Sequence, residues 1–178
     1  MQFGSSHSKA LETSRRRPQV EIMSKTKLTI SDVVRVTQEL WGPMLNLELT
    51  PVEAPDGIPP AGLTASVHIA GQWKGSIRLH ISYPLAKWAA AAFLGVPPSE
   101  VSFEQVQDCA GELANITADS IKRLVPSPSK ISLPSVEKTE GNGLKIEVQA
   151  SLQAAFHHRG ERFIVTIFET DENAVGHA

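Results

Sequence analysis

Two alternating segments five residues apart restrict this chain more than any other feature. Ala65, Val67 and Ile69 alternate with Ser66 and His68, and Ile77, Leu79 and Ile81 alternate with Ser76, Arg78 and His80. Period-two alternation marks strands with one buried face. The linker Gly71-Gln72-Trp73-Lys74-Gly75 is too short for a crossover, so the two strands form an antiparallel hairpin. A sheet that is apolar on one face has to be covered by another layer.

Helical patterns supply that cover. From Thr29 to Met44, Ile30, Val33, Val34, Val36, Thr37, Leu40 and Trp41 recur at helical spacing. Thr29 with Asp32, or Ser31, can cap the start, and Gly42-Pro43 is expected to stop the helix. Leu45 to Val52 then reads as a strand, and Pro55 to Gly62 as a turn region. Tyr83 to Leu94 is an alanine-rich helix with Pro84 in its first turn and Gly95 at the left-handed C-terminal position. Ser102 and Gln105 have capping-box spacing, with Val101 and Val106 placed to staple the start of a long helix. That helix should run to about Leu124, before Pro126 and Pro128. Ile131 to Val136 reads as a short extended segment containing Pro134. Leu144 to Leu152 reads as a long strand, and Phe163, Val165 and Ile167 as a last strand after the His158-Arg159-Gly160 turn. Antiparallel hairpins with grouped helices predict an α+β fold rather than a doubly wound one. The organisation expected is a disordered basic tail at 1–26, one domain at 27–170 and a frayed C-terminus at 171–178. Met23 precedes an ordinary-looking start, so residues 1–22 read as an over-extended gene start or a tag.

Charge and composition exclude several function classes. The 178 residues carry a net charge of −2, which argues against wholesale nucleic-acid binding. The basic residues gather at the N-terminus, where residues 1–28 hold six bases against two acids. The remainder holds eleven bases against seventeen acids and should prefer a basic partner. The most apolar run, Leu85 to Val96, contains Lys87 and is too short to span a membrane, and no apolar stretch follows the basic N-terminus as in a secretory leader. With Cys109 the single cysteine, an internal disulfide is excluded, and a cytoplasmic location is expected. The six histidines are scattered, Cys109 has no evident base beside it, and the Asn115-Ile116-Thr117 sequon falls inside a helix. None of these suggests a metal site, a thiol nucleophile or a glycan.

The long helix is the informative element. At about 100° per residue, with Asn115 at zero, Lys122, Asp108, Asp119 and Glu112 all fall between about −20° and 60°. The core candidates Phe103, Val106, Ala110, Leu113, Thr117 and Leu124 fall between about 160° and 240°. Asp108, Glu112, Asn115 and Asp119 therefore share one stripe opposite the buried face. Asparagine is a poor residue inside a helix, and Asp108–Glu112 is a like-charge pair four residues apart. Lys122 offers the stripe its compensation, three residues beyond Asp119.

Asp108-Cys-Ala-Gly-Glu112-Leu-Ala-Asn115, followed by Ile131-Ser-Leu-Pro134-Ser-Val136, resembles the signature of the CheX/CheC/FliY-type chemotaxis phosphatases. Trp73-Lys-Gly75-Ser-Ile and the proline-started, alanine-rich helix ending in Phe93-Leu-Gly95 resemble CheX-like domains as well. The likeness runs from about Leu28 to Glu169. It implies a long, mostly antiparallel sheet flanked by helices, and dephosphorylation of a CheY-like receiver domain. It also implies that Asn115 orients the attacking water and that Glu112 pairs with the receiver's active-site lysine. Asp108, Asp119, Lys122 and Pro134 would be partner-binding residues, with no cofactor of the chain's own and Mg²⁺ supplied by the receiver. CheC-like members carry the motif twice. Here the first helix offers only Glu39-Leu-Trp-Gly42, which lacks the amide, so one active helix and a CheX-like homodimer are implied. Thr117-Ala118-Asp119 stands where the family tends to show small residues with a glycine, and the segment leading to Pro134 is short. A non-catalytic receiver-binding module or flagellar-switch-like scaffold, and an unrelated α+β domain, are the alternative readings.

Overall fold

A computed structural model describes residues 27–53, 61–139 and 150–170. The elements are α1 (Ile30–Leu45), β1 (Thr50–Val52), β2 (Gly62–Gly71), β3 (Gly75–Ser82), α2 (Tyr83–Leu94), a 3₁₀ turn at Pro98–Glu100, α3 (Phe103–Lys122), β4 (Ser129–Ile131), β5 (Ser135–Thr139), β6 (Leu152–His158) and β7 (Glu161–Glu169). The strands make one seven-stranded sheet in the order β1-β6-β7-β3-β2-β4, with β5 also on β2. Every described pairing is antiparallel. The three helices pack on the sheet and on one another. The fold is the expected α+β class.

Register explains the core. Cross-strand pairs Leu63–Ile81, Ala65–Leu79 and Val67–Ile77 join β2 to β3, and Ile77–Ile167, Leu79–Val165 and Ile81–Phe163 join β3 to β7. All of these side chains are buried. Because side chains alternate along a strand, one such register commits the whole face to the helices. Trp41 of α1 reaches the sheet at Phe163, with ring centroids 4.6 Å apart.

The capping predictions hold. Thr29 Oγ1 accepts from the Asp32 N–H while Asp32 Oδ2 accepts from the Thr29 N–H. Ser102 and Gln105 do the same for α3. Gly95 closes α2 at φ 67°.

The end of α1 differs from expectation. Gly42-Pro43 does not stop the helix, which continues through Pro43 to Leu45. Trp41 and Leu45 are both buried and hold the last turn against the core despite the hydrogen bond that Pro43 cannot donate. The stop comes at Asn46, in the left-handed region at φ 53°, whose N–H donates to the Gly42 carbonyl at 2.9 Å. The strand expected over Leu45 to Val52 is accordingly reduced to β1.

The other differences lie in the second half of the chain. Residues 140–149, and with them most of the strand expected at Leu144 to Leu152, lie outside the described residues. The described strand, β6, begins at Leu152. It turns into β7 through Arg159 (φ 49°) and Gly160 (φ 85°), the two left-handed residues of a tight hairpin. Phe163, Ile164, Val165 and Ile167 of β7 are buried within the chain. The segment expected at Ile131 to Val136 is two strands along one edge of β2. Ile69 pairs with Ile131 and Ser66 with Ser135, so residues 132–134 face residues 67–68. That three-against-two register is a bulge. Ser132 anchors it, its N–H donating to the His68 carbonyl at 2.9 Å and its Oγ accepting from the His68 N–H at 3.0 Å.

The β2–β3 connection packs tightly. The Trp73 indole lies over Gly75, donates from Nε1 to Glu169 at 3.0 Å, and leaves no room for a methyl group at position 75. Gly75→Ala should lower the free energy of unfolding by about 1–3 kcal/mol, the usual cost of overpacking. Denaturant titration checks this, and wild-type stability in the variant would show that the indole does not sit there.

Candidate functional site

The site is built on α3. Its buried face is Val106, Cys109, Ala110, Gly111, Leu113, Ala114, Thr117, Ala118 and Ile121, broader than the core stripe expected from the wheel. Phe103, expected in the core, is 38% exposed and stacks on Tyr83 with centroids 6.0 Å apart. It sits in the first turn of α3, where the Lys138 ammonium from β5 lies 5.9 Å from its ring centroid. Leu124, also expected in the helix, follows its end at Lys122 and is half-buried. Four small residues, Ala110, Gly111, Ala114 and Ala118, line the inward side. At Gly111 a Cβ would lie 3.4 Å from Val136 Cγ2 and 3.5 Å from Pro134 Cγ. Pro134 therefore packs beside α3, one residue before Glu112.

The side opposite Val106, Leu113 and Thr117 carries the expected stripe. Asp108 and Glu112 are exposed, and Asn115, Asp119 and Lys122 are half-buried. Asn115 and Glu112 are three residues apart, which puts their Cβ atoms about 5–6 Å from each other on one face. Among the described residues neither Asp108 nor Glu112 has an ion-pair partner, and the Asn115 carboxamide makes no hydrogen bond. Asp119 does have a partner, which is Arg123 one turn on rather than Lys122. The spacing of four residues suits that pair better than the three-residue spacing assigned to Lys122. The Thr117-Ala118 departure falls on the buried face, where Thr117 Oγ1 donates to the Leu113 carbonyl at 2.7 Å.

Two apolar features beside the stripe were missed from the sequence. Phe93 and Leu94, at the end of α2, are 45% and 44% exposed and share an open groove with Gln105, Asp108, Cys109 and Glu112. On the other flank, Leu133 in the bulge is 88% exposed. The signal for the first was an apolar pair placed directly before a helix-ending glycine. The signal for the second was a leucine beside a proline in an edge segment.

No helix among the described residues is long and apolar enough to cross a membrane. Nor do the described residues gather three His, Cys, Asp or Glu side chains as a metal site would.

The model of the chemotaxis phosphatase CheX matches residues 63–158. The chain belongs to the CheX family. Among solved structures, CheX from Vibrio vulnificus superposes with a TM-score of 0.67 at 19% identity, over 83% of this chain and 99% of that one. A CheC-like protein from a Shewanella species gives 0.65 at 19% identity, over 80% and 97%. CheX from Borrelia burgdorferi, solved with CheY, BeF₃ and Mg²⁺, gives 0.58 at 18% identity, over 80% and 97%. No curated protein sequence matches the chain. At these identities the structures establish the CheC/CheX-like fold and the family model establishes membership.

Cys109 lies against the site without being equipped for chemistry. Burial first, and then the nearby Glu112 carboxylate, push its thiol from 9.0 up to about 11, so it is protonated at neutral pH. Labelling by a disulfide reagent at pH 8 should be at least about 100-fold slower in the folded chain than in denaturant. Because the folded value is the higher one, the thiol's contribution to stability is complete below pH 9 and lost as pH rises toward 11. Comparing Cys109→Ala with wild type across that window isolates the effect. Equal declines in stability would show that the thiol is not held protonated.

Proposed function

We propose that the chain hydrolyses the aspartyl phosphate of a CheY-like receiver domain, with α3 as its docking and positioning element. The observation that carries this is an accessible, unengaged carboxamide at Asn115 beside an unpaired carboxylate at Glu112, on the exposed face of a helix that lies within the residues the family model matches. The relative solved with CheY, BeF₃ and Mg²⁺ supports the choice of partner. The metal travels with the phosphorylated receiver and is part of the substrate.

In this reading Glu112 pairs with the receiver's active-site lysine and fixes the register of α3 on it, while Asp108, Asp119, Lys122 and Pro134 frame the contact. Asn115 enters beside the phosphoryl group. Its carbonyl oxygen accepts from a water and its NH₂ donates to a phosphoryl oxygen, so one neutral side chain holds both reactants without adding negative charge. The water oxygen bonds to phosphorus, the bond from phosphorus to the aspartyl oxygen breaks, and the water's proton passes to a phosphate oxygen. Phosphate and a free carboxylate result. An acyl phosphate needs positioning and charge stabilisation more than covalent help, so two side chains on one helix suffice.

Asn115→Ala should slow receiver dephosphorylation by about 100-fold, because it removes an interaction made chiefly in the transition state. Receiver affinity should be unchanged. Glu112→Ala should instead weaken binding by about 1–3 kcal/mol. Both side chains lie off the core, so melting temperatures should match wild type. Wild-type turnover by Asn115→Ala would remove the phosphatase reading and leave a receiver-binding module. A homodimer and a dispensable N-terminal segment complete the proposal. Sedimentation at micromolar concentration giving a 19.3 kDa species would exclude the dimer. Loss of dephosphorylation on deleting residues 1–26 would exclude the second.

A further inference from the structure

The acidic stripe of α3 runs between two exposed apolar features that nothing in the core requires. On one side the bulge between β4 and β5 lifts Leu133 out of the ladder, leaving it 88% exposed. Bulges re-aim side chains, and this one is held at both ends. Ser132 is hydrogen-bonded to both backbone groups of His68, and Pro134 packs beside Gly111. The leucine is thus a fixed projection whose exposure the chain maintains. On the other side Phe93 and Leu94 border a groove whose remaining wall includes Asp108 and Glu112. Around α3, Gly111 lies at about −40° and Cys109 at about 120° from Asn115, so the two apolar flanks enclose the positioning residues between them.

We propose that Leu133 and the Phe93–Leu94 groove are the specificity-determining flanks of the receiver-docking face, a reading that rests on the function proposed above. The occupant is the receiver, by an apolar side chain adjoining its basic active-site group. Charge complementarity and continuity select it. The groove shares Asp108 and Glu112 with the stripe, so a surface that brings a lysine to Glu112 brings its neighbouring side chains over Phe93 and Leu94. The two kinds of contact divide the work. Acidic side chains steer encounter and set register, whereas desolvated apolar contacts lengthen residence.

The test uses the full chain with a receiver charged with BeF₃ and Mg²⁺ for affinity, and with acetyl phosphate for turnover. Leu133→Ser and Phe93→Ser should each raise Kd and KM about tenfold. Their kcat should fall far less than that of Asn115→Ala. Leu133→Met should restore most of the lost affinity, and the melting temperature of Leu133→Ser should equal that of wild type. Values of Kd within twofold of wild type for both serine variants, while Glu112→Ala still weakens binding, would overturn the apolar flanks and leave the docking helix intact. A wild-type chain that neither binds nor dephosphorylates any receiver would overturn the phosphatase reading and this one with it. Conversion of a sedimenting dimer to a monomer by Leu133→Ser would assign the flank to a second copy of the chain and refute the proposal.

Discussion

The close approach of α3 to the sheet decides where the chemistry can be. Ala110, Gly111, Ala114 and Ala118 let the helix settle so close that a single methyl group at Gly111 would fill the space to Pro134 and Val136. A packed interior resists added volume, so the helix has essentially one rotation about its axis available. In that rotation Asn115 and Glu112 face outward. A slip of one residue would turn the helix by about 100° and carry the carboxamide to the side of the stripe. The positions of the two groups that would meet a phosphorylated partner are therefore set by residues that never touch it.

Two acids of the stripe stand apart from those that the chain engages itself. In α1 Asp32 accepts from Thr29 and pairs with Arg35, and those contacts, the Thr29 hydrogen bond foremost, hold its carboxyl below the ordinary range. Glu39 also pairs with Arg35, and Asp119 pairs with Arg123. Asp108 and Glu112 stand one turn apart with no ion-pair partner among the described residues, a like-charge arrangement that costs a few tenths of a kcal/mol. Its persistence on the one helix face that also presents an unengaged asparagine fits a surface completed by a cation from another molecule.

How much was legible follows from what each signal depends on. Signals carried by a few neighbouring residues were read correctly. These include the alternation of β2 and β3, the capping boxes at Thr29 and Ser102, and Gly95 closing α2. The stripe was legible too, because helical geometry fixes which side chains share a face. Signals settled by distant packing were not. Pro43 reads as a stop until Trp41 and Leu45 are seen buried on either side of it. Phe103 fits the apolar arc of the wheel, but its ring lies between Tyr83 and the Lys138 ammonium at the surface. The bulge at 132–134 depends on which residues of β2 lie opposite, and no local pattern holds that information. Asp119 was paired with Lys122 when the four-residue spacing to Arg123 was the better geometry.

The far end of the sheet bears on how the molecule behaves at high concentration. Among the described residues β1 is three residues long, pairs with β6 alone, and has Pro51 at its centre. Proline is accepted in an edge strand where its nitrogen faces away from the ladder, and there it leaves a gap in the row of donors that an added strand would need. A seven-stranded antiparallel sheet is a template for unlimited lateral growth unless its margins are blunted. With Pro51 in so short a strand, this margin is a poor acceptor for a strand of another chain.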